Sequence, residues 1–321
     1  MKLLQFTMVA FGAAAIVSGG PVHSAEFPQQ PITLVVPYSA GGATDAMFRD
    51  LANAASKHFP QPVVVTNRPG GSGSVAISHM LQRPADGYTV NVIVPVLQRA
   101  SYQHQFPFDV VKDIKPVIQV GGLQYGIVVN QSSEFKTLND LVEQARKNPG
   151  EVSYMSAGIG SGGHIYMQEI AEAAGGDIQF NHIPSKGDAD AAQAVMGGHV
   201  DAIAVTPGGW SSLVQADRLR LLATLGDERS QRFPDVPTVK EQGYDVVHLT
   251  PLGLGAHPDT PDDIVQTLHD GFKKAMDEPN FQESMAKREN AIMYLGPQDY
   301  AKAWAQSYIE EGKRAKMLEE K

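Results

Sequence analysis

The 321-residue chain contains no cysteine, which excludes a disulfide-stapled module and a sulfur-ligated metal site. A lipoprotein is excluded too, because lipid attachment requires a cysteine at the cleavage site. Basic residues are also scarce: 26 lysines and arginines stand against 35 acidic residues, and the formal net charge is −9. An acidic chain without a basic stripe repels phosphate backbones, so we expect no nucleic-acid partner.

Long hydrophobic runs are missing after the N-terminus. The first 25 residues, "MKLLQFTMVAFGAAAIVSGGPVHSA", join one lysine, a short apolar run and a tail of small residues. This order is typical of a secretory signal peptide, with cleavage after Ser24 or Ala25. The alternative, a membrane anchor, is disfavoured because glycines and a proline interrupt a run already short of the about 20 residues a span needs. We therefore expect a soluble protein exported to the periplasm.

Strand-like and helix-like segments alternate along the rest of the chain. The apolar runs "ITLVVPY", "PVVVTN" and "YTVNVIV" predict strands, with helices in "ATDAMFRDLANAASKHF" and "VAISHMLQ" between them. This order predicts an α/β fold with a mixed, mostly parallel sheet and helices on its faces. A second series begins with a helix whose first turn holds Thr137 and Asp140. Three helices near Pro261, Pro279 and Pro297 close the chain.

Two long, glycine-interrupted runs bracket the middle of the chain, "KPVIQVGGLQYGIVVNQ" and "VVHLTPLGLGAHP". We interpret them as two crossings between lobes, with hinge strands near 118–126 and 247–255, because glycine lets a backbone absorb a rotation. Lobe 1 would then comprise residues 26–122 and 252–321, and lobe 2 residues 123–251. The alternative is one continuous sheet with irregular strands.

The first predicted strand runs into "SAGGAT", residues 39–44. In open parallel sheets ligands bind at the carboxyl ends of strands, where helix N-termini present unpaired N–H groups. Gly41, Gly42 and Ala43 would bring the backbone close to a ligand, and Ser39 and Thr44 would add hydroxyl groups. The loop suits a carboxylate or phosphate. The alternative is an ordinary tight turn capped by Thr44 or Asp45.

A second loop of this kind, "AGIGSGGHI", lies in the second series and contains Gly158, Gly160, Ser161, Gly162 and Gly163. Its G-x-G-x-x-G spacing is also that of dinucleotide-binding loops. The acidic residue that would hold a ribose is missing from the next strand, which ends in "NHIP". A periplasmic dinucleotide-dependent oxidoreductase using residues 158–163 is therefore the alternative function.

Several other side chains are predicted at the same strand ends. Arginine grips a carboxylate with two parallel hydrogen bonds, and lysine and histidine add positive charge. The predicted cleft residues of this group are Arg99, His164, Lys186, Pro207 and the aromatic residues Tyr38 and Phe48. The alternatives are solvated charges, a histidine that caps its helix and aromatic rings that belong to the core.

Signals for catalysis are weak. The sequence has no G-x-S-x-G and no H-E-x-x-H, and its ten histidines lack metal-ligand spacing. Asp45 has no nucleophile beside it. We therefore expect no enzyme, no metal and no cofactor.

The chain resembles the substrate-binding proteins of tripartite tricarboxylate transporters, also called the Bug family of periplasmic receptors. The resemblance covers nearly the whole chain and is carried by "PYSAGGATD", "NRPGGSGSVA", "ADGYTV", "SAGIGSGGHI", "IPSKGDADAAQAVMGGHVDA", "LGDERSQRFPDVPTVKEQGY" and "GAHPDTP". It implies a two-lobed Venus-flytrap fold of the type II periplasmic class. It also implies that residues 39–44 and 158–164 grip one ligand carboxylate, with the loops at Lys186 and Pro207 completing the site.

Two departures from the family pattern suggest a ligand. A tyrosine usual before the lysine is Ser185 here, and the small residues usual after the third strand are Gln98 and Arg99. Added positive charge and extra room favour a dicarboxylate with a bulky body, such as terephthalate. The resemblance implies delivery to membrane permease subunits by a monomeric receptor. A further alternative is a partner-binding protein with no small ligand.

Overall fold

The computed structural model describes residues 27–175 and 177–319. The predicted signal peptide, residues 1–25, lies outside them. In the described part the strands are β1 (Ile32–Val36), β2 (Val63–Asn67), β3 (Thr89–Ile93), β4 (Lys115–Gln124), β5 (Gly126–Asn130), β6 (Ser153–Ser156), β7 (Asn181–Pro184), β8 (Ala202–Val205), β9 (Leu219–Thr224), β10 (Leu249–Ala256) and β11 (Asn290–Leu295). The α-helices are α1 (Ala43–Ala55), α2 (Ser74–Leu81), α3 (Pro95–Gln103), α4 (Leu138–Lys147), α5 (Gly162–Ala173), α6 (Asp188–Met196), α7 (Ser211–Gln215), α8 (Asp262–Met276), α9 (Pro279–Lys287) and α10 (Pro297–Glu319).

The strands form two sheets, which gives the α/β fold two lobes. The first sheet has the order β11-β4-β10-β3-β1-β2, and the second has the order β7-β6-β8-β5-β9. Strands β1, β2 and β3 pair in parallel, as do β6, β7 and β8. Strands β10 and β11 in the first sheet, and β5 in the second, pair antiparallel with their neighbours. The parallel parts place their carboxyl ends, and the loops that follow, at the edge where a ligand is expected.

The chain passes between the sheets twice. Strands β4 and β5 follow one another with only Tyr125 between them, and the return path joins β9 to β10. Both passages fall in the glycine-interrupted runs or just before them. The exact lobe boundaries and the hinge positions, 118–126 and 247–255, stay predictions.

Helix α1 shows why a predicted cleft residue belongs to the core. Its buried face includes Met47, Phe48 and Leu51, all with no exposed surface. These residues follow the i, i+3, i+4 spacing of a helix that packs on a sheet. The prediction that Phe48 forms a cleft wall is therefore corrected: its ring lies in the hydrophobic core beneath the loop.

Local signals placed most helix starts correctly. Thr137 and Asp140 form a reciprocal capping box at the start of α4, as their positions predict. Helices α9 and α10 begin at Pro279 and Pro297, and Pro261 precedes the first residue of α8. Two short helices, α3 and α7, and the edge strand β11 were not predicted. Across the two described ranges, every helix is too short or too polar to cross a membrane.

Candidate functional site in the cleft between the lobes

A cavity of about 1170 Å³ lies between the two lobes, and both glycine loops line it. Its walls include most of the predicted site residues, which are Tyr38, Ser39, Gly41, Gly42, Ala43, Thr44, Arg99, Gly160, Ser161, Gly162 and Lys186. The cavity is large enough for a small organic ligand. The two loops, more than 100 residues apart in the sequence, therefore face one shared space.

The first loop presents the N-terminus of α1 to the cavity. Gly41 has φ +88°, a conformation that favours glycine, and Gly42 is extended with φ −76° and ψ 170°. No side chain caps this helix, so its first N–H groups, including those of Ala43 and Thr44, lack intrahelical partners. The loop thus offers backbone donors and the positive end of a helix dipole to an anion.

Asp45 shapes this loop from behind. Its carboxylate accepts hydrogen bonds from the Gly41 N–H at 2.8 Å, Arg49 Nε at 2.9 Å and Asn67 Nδ2 at 2.7 Å. Burial raises the pKa of Asp45, but these hydrogen bonds outweigh that effect and the pKa is lowered. The residue therefore holds the loop in shape.

The second loop presents the N-terminus of α5. Ser161 caps the helix by accepting from the His164 N–H at 3.4 Å, and His164 Nδ1 accepts from the Gly160 N–H at 3.1 Å. The His164 ring also stacks on His182 at 3.9 Å between centroids. His164 is not among the residues that line the cavity, and it supports the loop. Gly162 and Gly163 are the first two residues of α5, so their N–H groups have no intrahelical partners.

Gly163 lets α5 approach the second sheet. A Cβ atom there would lie 1.8 Å from the carbonyl oxygen of Ala204 in β8. This close packing fixes where the N-terminus of α5 points. The half-buried Gly158 and the buried Pro207 are not among the residues that line the cavity, whereas Gly208, next to Pro207, lines it.

Arg99 lines the cavity, but its positive charge is already engaged. Its guanidinium forms a buried ion pair with Glu311 of α10 and donates to the Gly160 carbonyl oxygen of the opposite loop. Both Arg99 and Glu311 side chains are less than 10% exposed. We expected a guanidinium free to face the ligand, and the structure corrects this expectation, since the charge is paired with Glu311. Glu311 lies 212 positions away in the sequence, so no local pattern indicated the pairing.

A second ion-pair cluster joins the lobes beside Arg99. Arg314 of α10 donates to Glu311 at 2.6 Å and to Glu169 of α5 at 3.0 Å, and His248 Nε2 lies 2.5 Å from Glu169 Oε2. Burial raises the pKa of Glu169, but its contacts with His248 and Arg314 more than compensate, so the pKa is lowered. Burial lowers the pKa of Arg314, and the two carboxylates raise it by more.

One part of the cavity wall comes from α6 and the loop before it. Lys186 is exposed, and among the described residues no carboxylate or acceptor lies within bonding distance of its Nζ. Asp188, at the first position of α6, accepts from the Thr206 N–H and hydroxyl. Burial raises the pKa of Asp188, and the Thr206 hydrogen bonds offset part of that rise.

Two tyrosines in the cavity wall were missed in the sequence. Tyr125 sits at the crossing between β4 and β5, and its ring packs edge-on against Tyr166 of α5. The Tyr166 hydroxyl is 2.7 Å from the Thr250 hydroxyl of β10. Burial raises the pKa of Tyr166 to about 12, so it stays a neutral hydrogen-bonding group near neutral pH. The sequence signal that could have indicated Tyr125 is its place in the predicted lobe crossing, shortly after Gly121 and Gly122.

Tyr38 lines the cavity beside the first loop. Desolvation raises its pKa to about 12, with the positive charge of Arg99 acting in the opposite direction. The residue keeps 36% of its surface exposed and lines the cavity. The phenol is therefore placed to contact a ligand while remaining protonated.

The structure also bears on the alternatives. Within residues 27–175 and 177–319, no cluster of three or more histidine or acidic side chains is arranged to hold a metal ion. The strand after the 158–163 loop ends in Asn181–Pro184, so it brings no carboxylate for a ribose. The Ser185 hydroxyl lies within hydrogen-bond distance of the carbonyl oxygens of Ser156 and Gly187.

Comparison with known proteins agrees with this architecture. The sequence profile of the tripartite tricarboxylate transporter family receptor matches residues 47–319. A Cupriavidus necator protein, described as the UPF0065 protein in the gbd 5′ region, is 42% identical over 94% of this chain and 91% of its own length.

Two solved structures share the fold over nearly all of their length. A TctC solute-binding protein from Polaromonas is 27% identical, covers 90% of this chain and 99% of its own, and has a TM-score of 0.75. An R. palustris protein solved with adipate is 26% identical, with 91% and 98% coverage and a TM-score of 0.79. These comparisons lend no support to a dinucleotide-dependent oxidoreductase. The chain belongs to the tripartite tricarboxylate transporter receptor family, whose members are periplasmic solute-binding proteins.

Proposed function

We propose that this protein binds a dicarboxylate in the cleft and delivers it to the membrane permease subunits of a tripartite tricarboxylate transporter. The observation that carries the proposal is the shared cavity, into which two helix N-termini open from opposite lobes. A carboxylate held between them would receive N–H donors from Ala43 and Thr44 on one side and from Gly162 on the other. Export through the predicted signal peptide and a monomeric state belong to the same proposal.

The binding energy needed is within reach of this site. A hydrogen bond to a charged group contributes about 1.5–3 kcal/mol, and a micromolar ligand needs about 8 kcal/mol. Two or three such bonds, with apolar contact to Val94, Leu123, Ile159 and Leu252 of the wall, would supply it. Closure of the lobes would also remove water from around the ligand and strengthen these hydrogen bonds.

The finer proposal is a second carboxylate on a bulky body, with terephthalate as the specific candidate. Adipate in the R. palustris relative shows that one similar protein accommodates two carboxylates. Lys186 supplies an unpaired positive charge in the cavity wall, and Ser185 leaves room that a tyrosine would fill. The acidic side chains at this wall, Asp188 and Asp190, accept hydrogen bonds from Thr206 and from the Lys186 N–H.

The test is a titration of the purified mature protein by calorimetry and thermal shift. The ligand panel is citrate, adipate, glutamate, benzoate, terephthalate and NADH. We expect saturable one-to-one binding of a dicarboxylate and a rise in melting temperature. A response to NADH alone would favour the oxidoreductase alternative. Tight binding of benzoate with no response to any dicarboxylate would contradict the proposal that the ligand carries a second carboxylate. Size-exclusion chromatography with light scattering on the same sample tests the monomer.

A further inference from the structure

The bridge between Arg99 and Gly160 connects the lobes through protein atoms alone. Arg99 lies on α3, which follows β3 of the first sheet, and Gly160 lies in the loop after β6 of the second sheet. Glu311 of α10 holds the other side of the guanidinium. The pair is buried and balanced in charge, so Arg99 adds little net positive potential for a ligand.

The neighbouring contacts belong to the same end of the cleft. Arg314 and Glu169 join α10 to α5 there, and Tyr166 of α5 meets Thr250 of β10. With Arg99 and Glu311 included, two arginines face two glutamates, and the titratable side chains of His248 and Tyr166 stack on each other beside them. At this end of the cleft, hydrogen bonds and ion pairs within the chain connect the two lobes.

The bridge also orients the loop that is proposed to bind the carboxylate. Arg99 donates a hydrogen bond to the Gly160 carbonyl oxygen, and His164 Nδ1 accepts one from the Gly160 N–H. Both polar groups of this residue are fixed two positions before the unpaired N–H of Gly162. Gly160 itself has φ +70°, so its local conformation depends on glycine and on these two contacts.

We propose that Arg99 is a positioning residue, which holds the 158–163 loop in place across the cleft, and that Lys186 is the residue that selects for a second carboxylate. This inference rests on the proposed function. Among the cations in the described wall of the cavity, Arg99 and Arg314 are paired with glutamates, whereas Lys186 is unpaired. Lys186 lines the same cavity from the loop that precedes α6.

Two matched ligands separate the roles, because benzoate is terephthalate with one carboxylate fewer. The variants are Arg99→Gln, Lys186→Gln and, as a control on an exposed helix face, Lys147→Gln. We expect Lys186→Gln to reduce the preference for terephthalate over benzoate by about tenfold, with benzoate affinity nearly unchanged. We expect Arg99→Gln to weaken both ligands by the same factor, of about tenfold, through faster dissociation, and Lys147→Gln to change neither.

The double variant Arg99→Gln/Glu311→Gln guards against a folding defect, because it removes both buried charges together. It should reproduce the loss shared by both ligands. Loss of the terephthalate preference in the Arg99 variants, with the preference retained in Lys186→Gln, would overturn the proposal.

A ligand-free measurement keeps this test separate from the proposed function. If the wild-type protein binds no carboxylate, the proposed function fails, and the bridge is judged by small-angle X-ray scattering of the apo proteins. A larger radius of gyration in the double variant than in the wild type supports the bridge. Equal radii would overturn it.

Discussion

The guanidinium of Arg99 donates a hydrogen bond to the carbonyl oxygen of Gly160, so a side chain of the first lobe holds the backbone of the second. The donor is itself held by Glu311, and the acceptor lies in the loop that opens α5 toward the cavity. The cleft therefore has a structural bridge at one end and two helix N-termini facing the same space, each with N–H groups that lack intrahelical partners.

Ala43→Pro should remove one proposed donor without disturbing the helix. Proline fits the first position of a helix, and Gly42 already has the extended conformation that a residue before proline prefers. Loss of one hydrogen bond to a carboxylate should weaken adipate or terephthalate binding by about 10- to 150-fold. Isothermal titration measures this change.

The matched control is Ala43→Ser, which changes the side chain and keeps the N–H. It should bind within a small factor of the wild type, and both variants should melt at similar temperatures. Equal ligand affinities for the proline and serine variants would contradict a role for the Ala43 N–H group in binding.

Gly163→Ala should destabilise the protein by about 1–3 kcal/mol or more, because its Cβ would collide with the Ala204 carbonyl oxygen. Helix α5 would have to move away from β8. Denaturant titration measures the loss, and Gly208→Ala is the control since the nearest atom to its Cβ is 3.9 Å away. Matching midpoints for the two variants would contradict the close packing.

Asp188→Asn should raise the melting temperature at pH 7.5. Burial raises the pKa of Asp188, so its carboxylate form costs stability at neutral pH, and that cost is relieved as the pH falls through the raised folded pKa. The advantage of the variant should therefore shrink toward pH 4. Melting curves between pH 8 and pH 4 test this, and a constant difference across that range would argue against a buried, desolvated carboxylate.

Glu169→Gln should lower stability at pH 7 by about 1–3 kcal/mol, because it breaks the pairing with Arg314 and His248. The pKa of Glu169 is lowered, so its stabilisation is present above the ordinary carboxyl pKa of about 4.5 and is lost as the pH falls through the lower folded pKa. Denaturant midpoints of the two proteins should converge in acid. A difference that persists unchanged at pH 3 would point to packing instead of charge.

The mature protein should begin at Ala25 or Glu26. The charged start, apolar run and small residues of the first 25 positions predict cleavage there. Intact-mass spectrometry of the periplasmic fraction checks this prediction. A full-length mass, or recovery only in the cytoplasm, would reject it.

The sequence predicted those features that depend on neighbouring residues. The capping box at Thr137 and the proline starts of α9 and α10 follow from side chains within one turn. The two glycine loops were predictable in the same way, since a strand, a glycine turn and a helix follow each other directly. Phe48 was predictable as well, because its spacing with Met47 and Leu51 already marked one buried helix face.

Features that depend on distant residues were not predictable. Glu311 neutralises Arg99 from 212 positions away, and no local pattern marks either residue as a pair. Strand β11 pairs with β4 at the edge of the first sheet, more than 150 residues distant, and only alternate residues of it are half-buried. Helix α3 begins at Pro95 and spans only nine residues, so its periodicity is too brief to distinguish from a loop.

The most direct test of the central claim is a backbone-amide NMR titration of the mature protein with terephthalate or adipate. We predict that the amide signals of Ala43 and Thr44 in one loop, and of Gly162 and Gly163 in the other, shift together with the same apparent Kd. Binding that moves the signals of only one loop, or of neither, would contradict a carboxylate shared between the two lobes.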